Sequence, residues 1–315
     1  MEPETLEEEY DRKRTSQFYE PFVVQPEKEH KQTFIILHGR GGTGESFASS
    51  FLTFPITPTL VDGRLLGLEG IRANCPNVKF VFPTACLGRA TANGTLMHQW
   101  FDNWSPLIYP ENKEELMIEG LAETCSFVHS LLEAEIEVVG AKNVVLMGLS
   151  QGCSAAMVSL LTWQGEPLGA AVGMCGWLPF WKQMLDRSNE VEWNGGAQVG
   201  DPEDKNPVVD DGKPSQTDAA KLERVAHWLR NELGITGDKS PAVPFQQIPM
   251  FLGHGVDDAI VRCELGRLAS QFLKHVGIDA RWNEYKGLDH WFSAHMLRDI
   301  LLFLDSLEGW EVPGI

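Results

Sequence analysis

The sequence predicts an α/β fold: a mostly parallel central sheet with helices on both faces, plus a surface insertion. Three observations predict it. Short apolar runs alternate with longer segments of helical spacing through most of the 315 residues. The strongest run, "NVVLMGLS" at residues 143–150, is continuously apolar, as a strand buried on both faces must be. Several strands run into glycine-bearing turns, which is where such sheets place their sites.

The elements follow in order. "PFVVQP", "QTFIILHG" and "KFVFPTA" read as the first three strands. The segment "EELMIEGLAETCSFVHSLLEAEIEVVG" carries Leu116, Leu121, Val128, Leu131 and Leu132 at helical spacing. After "NVVLMGLS" a short helix is expected from Gln151 to Trp163. Strands "GAAVGMCGWLP" and "IPMFLGHG", helix "RCELGRLASQFLKHVG", strand "DARWNEYKG" and a last helix after His290 complete the pattern.

Two regions fall outside this rhythm. Residues 1–20 read as an acidic, flexible tail, leaving 21–315 as one domain. Residues 187–247 are rich in Gly, Pro, Asp and Asn and read as an insertion without a core of its own. Within it, "TDAAKLERVAHWLRNELG" is expected to be helical. Thr217 is its expected cap, Leu222, Val225, Leu229 and Leu233 share a face, and Gly234 ends it.

Composition removes several function classes. A 43% apolar content supports one large core. The formal net charge of −18 disfavours nucleic acid and anionic membranes as partners. Six scattered cysteines without a C-x-x-C pair argue against a zinc site or a disulfide framework. No apolar run reaches membrane-spanning length, and the charged N-terminus lacks a signal peptide's apolar region. The expectation is a soluble, cytoplasmic protein with no stable membrane insertion.

Gly148-Leu149-Ser150-Gln151-Gly152 fits G-x-S-x-G between a buried strand and a helix. Small flanking residues relieve the crowding of a tight strand-to-helix corner and leave the serine oxygen exposed. A serine hydroxyl needs a base, and the base needs an acid to orient it. In this motif's usual chain order the acid and the histidine come later. Asp258 follows the strand "FLGHG" at a suitable spacing, with adjacent Asp257 as the alternative. His290 lies in a loop between a strand and the last helix, where a base must sit. His254 reads as a structural turn residue near Asp258. The backbone N–H groups of Gln151, after the serine, and Arg40, in the glycine loop "HGRGG", are the candidate oxyanion donors.

At this point the chain resembles the acyl-protein thioesterase / phospholipase–carboxylesterase family of α/β-hydrolases. "LHGRGGTG", "FPTA…TLMHQWFD", "GLSQG", "CGWLP", "HGVDDAIV" and "YKGLDHWF" carry the resemblance, in order, over most of residues 30–305. It implies the α/β-hydrolase fold, with Ser150 as nucleophile, Asp258 as acid, His290 as base, and Arg40 and Gln151 as oxyanion donors. It implies hydrolysis of acyl thioesters or carboxylic esters, S-acylated proteins among the substrates, no cofactor or metal, and homodimers in several members. The chain departs from the family pattern at Arg40, where a leucine-like residue is usual, at Gly42, where aspartate is usual, and at Cys153, often a glycine.

"NGTLMHQWFDNW" is a candidate cover over the site, with Leu96, Met97 and Trp100 as candidate acyl-binding residues. Core packing is the alternative for that segment. Two further readings stay open: a carboxylesterase for small soluble esters, and a non-catalytic ligand-binding protein on a hydrolase scaffold.

Overall fold

The computed structural model describes residues 17–56, 59–61, 64–66, 70–104, 112–189, 216–235 and 244–310. The first elements are β1 (Phe22–Val24), β2 (Gln32–Leu37) and α1 (Gly44–Thr53). A hairpin of β3 (Thr59–Val61) and β4 (Arg64–Leu66), the single-turn α2 (Ile71–Asn74) and β5 (Val78–Phe82) follow. A second hairpin pairs β6 (Leu87–Arg89) with β7 (Leu96–His98). Then come α3 (Met117–Val139), β8 (Val144–Leu149), α4 (Gln151–Thr162), β9 (Ala170–Met174), α5 (Trp181–Ser188) and α6 (Gln216–Glu232). The last are β10 (Met250–Gly255), α7 (Cys263–His275), β11 (Ala280–Tyr285) and α8 (Ala294–Asp305).

Seven strands form the central sheet in the order β1-β5-β2-β8-β9-β10-β11. All its pairs are parallel except β1 with β5. The period-two alternation of strand side chains divides the core. Ile35, Leu37, Val144 and Leu146 point to one face, where they pack with α3, α4, α6 and α7. Phe34, Ile36, Val145 and Met147 point to the other, under α1 and α8. The expected doubly covered sheet is therefore present, and each strand and helix predicted between residues 21 and 305 has a counterpart.

Three details differ from the sequence reading. Helix α6 starts at Gln216, so Thr217 lies inside it rather than capping it. Its apolar face, Leu222, Val225, Leu229 and Leu233, is buried in the main core, because it covers α4 and α5. The expected insertion thus adds a helix to the common core; residues 190–215 lie outside the described residues. The tail, expected to be loose to residue 20, is anchored from Phe18. That ring stacks on Phe127 at 4.0 Å, and Tyr19 meets His98 edge-on. Residues 1–16 of that expectation lie outside the described residues.

The loop leaving β2 is held by His38, which is fully buried. Its Nε2 accepts the N–H of Ala85 at 3.0 Å, so Nδ1 carries the hydrogen and donates to the Gly39 carbonyl at 2.7 Å. Burial pushes its pKa down to about 4. An unfolded histidine titrates near about 6.5. The fold keeps the neutral form, so this contribution to stability is complete above about pH 6.5 and is lost as pH falls toward 4. Melting temperatures measured across that window should fall less steeply in His38→Gln, whose amide keeps a donor and an acceptor but does not titrate, than in wild type. Equal slopes would show that His38 does not titrate with unfolding.

Candidate active site

The site is built where β8 turns into α4. Ser150 occupies that corner at φ 56°, ψ −122°, outside the favoured regions for an L-residue. A Cβ at Gly148 would run into the carbonyl of Gly152, and one at Gly152 into the carbonyls of Leu37 and His38. The glycines are therefore required by close backbone approach. The corner is fastened on both sides. Ser150 N–H donates to Met174 O at 2.8 Å, and Ser154 N–H donates to Ser150 O at 3.1 Å.

Two loops meet the serine. Ser150 Oγ lies 2.8 Å from His290 Nε2, and His290 Nδ1 lies 2.7 Å from Asp258 Oδ2. An ionised carboxylate only accepts, so Nδ1–H donates to Asp258 and Nε2 is left to accept from the serine hydroxyl. Asp258 is buried, with four donors around it. Oδ1 accepts the N–H groups of Ile260 at 2.9 Å and Val261 at 2.8 Å. Oδ2 also accepts from His254 Nε2 at 3.1 Å. That nitrogen faces the Val261 carbonyl as well, at 2.8 Å, so it must carry hydrogen. Burial opposes ionisation of Asp258, but the bonds from His254 and His290, the His290 charge and the Val261 N–H outweigh it. The carboxyl is held well below the usual range. Asp257 turns elsewhere and accepts the Gly287 N–H at 2.7 Å. Asp258, not Asp257, is the carboxylate brought to His290.

The remaining predicted residues divide. Arg40 and Gln151 both line a cavity of about 470 Å³ that also contains Ser150 and His290. Gln151 opens α4, where first-turn N–H groups have no acceptor within the helix. Around Arg40, the Gly41 N–H donates to His98 O and the Gly42 N–H to Gly39 O, while Arg40 N–H has no acceptor among the described residues. Met97 lines the cavity, but Leu96 and Trp100 do not. Leu96 precedes Met97 on β7, where neighbouring side chains point to opposite faces. Trp100 is fully buried beneath the Arg40 loop, and its Nε1–H donates to His38 O at 2.7 Å. It is a strut, and the acyl-binding expectation fails for both residues. The apolar wall comes instead from Phe47, Ile260 and Trp291, which sequence spacing did not single out. Trp291, exposed beside His290, was the one visible signal.

The segment from His98 to Asn103 holds both candidate donor loops. Arg40 Nε and Nη2 donate to Gln99 Oε1 at 3.1 and 2.9 Å, and Nη2 lies 3.7 Å from Asp102 Oδ1. Gln151 Oε1 accepts the Trp100 N–H at 3.0 Å, and its Nε2 donates to Phe101 O at 2.7 Å and Asn103 Oδ1 at 3.2 Å.

Cys175, His254 and Asp258 bring three metal-ligand types within 4.8 Å of one another. Their chemistry is that of a hydrogen-bonded core instead. Burial pushes the Cys175 thiol up to about 12, and its Sγ donates to Trp291 O. Among the described residues no helix is long and apolar enough to cross a membrane.

The profile of the phospholipase/carboxylesterase family matches residues 63–193 and 235–308, so the match breaks across most of the expected insertion. The chain is similar to acyl-protein thioesterase 1 of Gibberella zeae, at 25% identity over 90% of this chain and 94% of that protein. It is similar to carboxylesterase SOBER1 of Arabidopsis thaliana, at 24% identity over 85% of this chain and 88% of that one. The fold is similar to the crystal structure of Zea mays acyl-protein thioesterase 2, with a TM-score of 0.59 at 20% identity, covering 91% of this chain and 99% of that one. More than half of the residues are matched by the family profile, and the chain belongs to the phospholipase/carboxylesterase family of α/β-hydrolases.

Proposed function

We propose that this serine hydrolase cleaves acyl thioesters or carboxylic esters through Ser150, His290 and Asp258, with S-acylated proteins among its substrates. The observation that carries the reading is the unbroken relay from Ser150 Oγ through His290 to Asp258 at 2.8 and 2.7 Å, opening into a cavity. Similarity to proteins named acyl-protein thioesterase and carboxylesterase supports the bond type.

The chemistry runs in two halves. Ser150 Oγ attacks the acyl carbonyl while its proton passes to His290 Nε2. Asp258 stabilises the imidazolium through Nδ1–H. The N–H groups of Arg40 and Gln151 take the negative oxygen of the tetrahedral intermediate. Collapse expels the thiol or alcohol, which leaves with the proton from His290, and the acyl group stays on Ser150. Water then attacks with His290 as base, and the carboxylic acid departs as Ser150 regains its proton. The reading includes a cytoplasmic setting and homodimeric assembly.

A carboxylesterase for small esters is the second reading, favoured by the similarity to SOBER1 and by the modest cavity of about 470 Å³. Turnover of p-nitrophenyl esters and acyl thioesters from C2 to C16 separates the two. A kcat/KM rising with chain length, higher on thioesters, supports deacylation of long-chain substrates; activity confined to the shortest esters supports the second reading.

Ser150→Ala should reduce kcat by about 10⁴-fold or more, and Asp258→Asn by a comparable factor. Asp257→Asn should stay within a few-fold of wild type. A large loss in Asp257→Asn with little in Asp258→Asn would reverse the choice of acid.

A further inference from the structure

His98, Gln99 and Trp100 each hold one residue of the loop after β2. His98 O accepts the Gly41 N–H at 2.7 Å. Gln99 Oε1 accepts from Arg40 Nη2 and Nε at 2.9 and 3.1 Å. Trp100 Nε1–H donates to His38 O at 2.7 Å, and its ring meets the His38 ring at 4.9 Å. The Arg40 N–H, one of the two candidate oxyanion donors, therefore sits in a loop pinned before and after it.

The chain ahead of β1 packs on two of these three residues. Tyr19 meets the His98 ring edge-on at 5.4 Å. Phe18 stacks toward Trp100 at 6.5 Å, with 24° between the rings. Both separations fall in the range of about 4.5–7 Å over which aromatic pairs attract. Phe18 is tied down in turn by its stack on Phe127 of α3 at 4.0 Å. The chain then enters β1, which pairs with β5. Neither Phe18 nor Tyr19 lines the active-site cavity. Tyr19 is 48% exposed, so it buries little apolar area, and the ring it meets is that of His98.

We propose that Phe18 and Tyr19 are positioning residues, bracing the Arg40 oxyanion loop through Trp100 and His98. The N-terminal segment takes no part in bond making, yet it sets the rate of the chemical step. An oxyanion donor stabilises the transition state only when its N–H is aimed at the place where the negative oxygen forms. Loosening its support therefore lowers kcat and leaves substrate binding unchanged. The inference rests on the serine hydrolase reading, in which both acylation and deacylation pass through a tetrahedral oxyanion, so kcat reports the brace whichever half is slower.

The test compares two double variants of the full chain. Phe18→Leu with Tyr19→Leu keeps apolar side chains and removes both rings. Phe18→Tyr with Tyr19→Phe exchanges the rings and keeps the packing. Turnover of p-nitrophenyl butyrate and inhibition by 1,1,1-trifluoroheptan-2-one, whose serine adduct carries an oxyanion, are measured well below each melting temperature. The leucine pair should lower kcat about threefold or more, leave KM within about twofold, and raise the ketone's Ki by the factor lost in kcat. The ring-exchanged pair should restore wild-type values. In a His98→Ala background, Tyr19→Leu should cost nothing further, because its effect runs through that ring. Should the leucine pair fail to fold, the two single leucine variants carry the same comparison. A smaller fall in kcat, a loss confined to KM, or an unchanged Ki overturns the brace and leaves the hydrolase reading standing. Wild-type enzyme without Ser150-dependent hydrolysis overturns that reading, and this inference with it.

Discussion

The backbone of Ser150 is the constraint on which the rest depends. At φ 56° the residue holds a conformation that costs free energy, on the order of 1–3 kcal/mol, and persists only where its surroundings enforce it. The enforcement is visible. Strand β8 arrives in the centre of a parallel sheet, buried between β2 and β9, and cannot shift without breaking two ladders. Helix α4 leaves at once, with every residue buried. Gly148 and Gly152 let the two segments approach to backbone contact. The result is a hydroxyl held at the carboxyl edge of the sheet, level with the loops after β2, β10 and β11.

Those loops are held by side chains that take no part in bond making. Asp258 illustrates the point. His254 and the N–H groups of Ile260 and Val261 fix its carboxylate before His290 arrives, so the histidine meets an oriented and ionised acceptor. The segment from His98 to Asn103 serves the opposite wall in the same way. It grips the Arg40 side chain on one side and the Gln151 side chain on the other, so the two candidate oxyanion donors share one support. Such preorganisation is how fixed dipoles act on a developing charge without reorganising at the moment of reaction.

Much of this was legible in the sequence, and the reasons are physical. A strand buried on both faces leaves a continuous apolar run, and "NVVLMGLS" could hardly be anything else. The glycines around Ser150 are visible because backbone crowding admits no substitute. Ser150, Asp258 and His290 could be proposed because each lies in the turn or loop that a strand runs into. What the sequence hid depends on the direction in which side chains point. Leu96, Met97 and Trp100 are similar as letters, yet only Met97 faces the cavity, while Trp100 supports the His38 carbonyl. Phe47, Ile260 and Trp291 come together from three separate elements, and no local spacing links them. Helix α6 carried a clear apolar stripe, but its place in the common core depended on the flanks of α4 and α5 that it covers.

The central claim is that Ser150 is an activated nucleophile. Its most direct test is the inactivation of the full chain by a fluorophosphonate, with the adduct mapped by mass spectrometry and the rate compared with that of His290→Ala. The account predicts one adduct, on Ser150, formed at a rate that collapses when His290 is removed. An unlabelled Ser150, or labelling indifferent to His290, would contradict it.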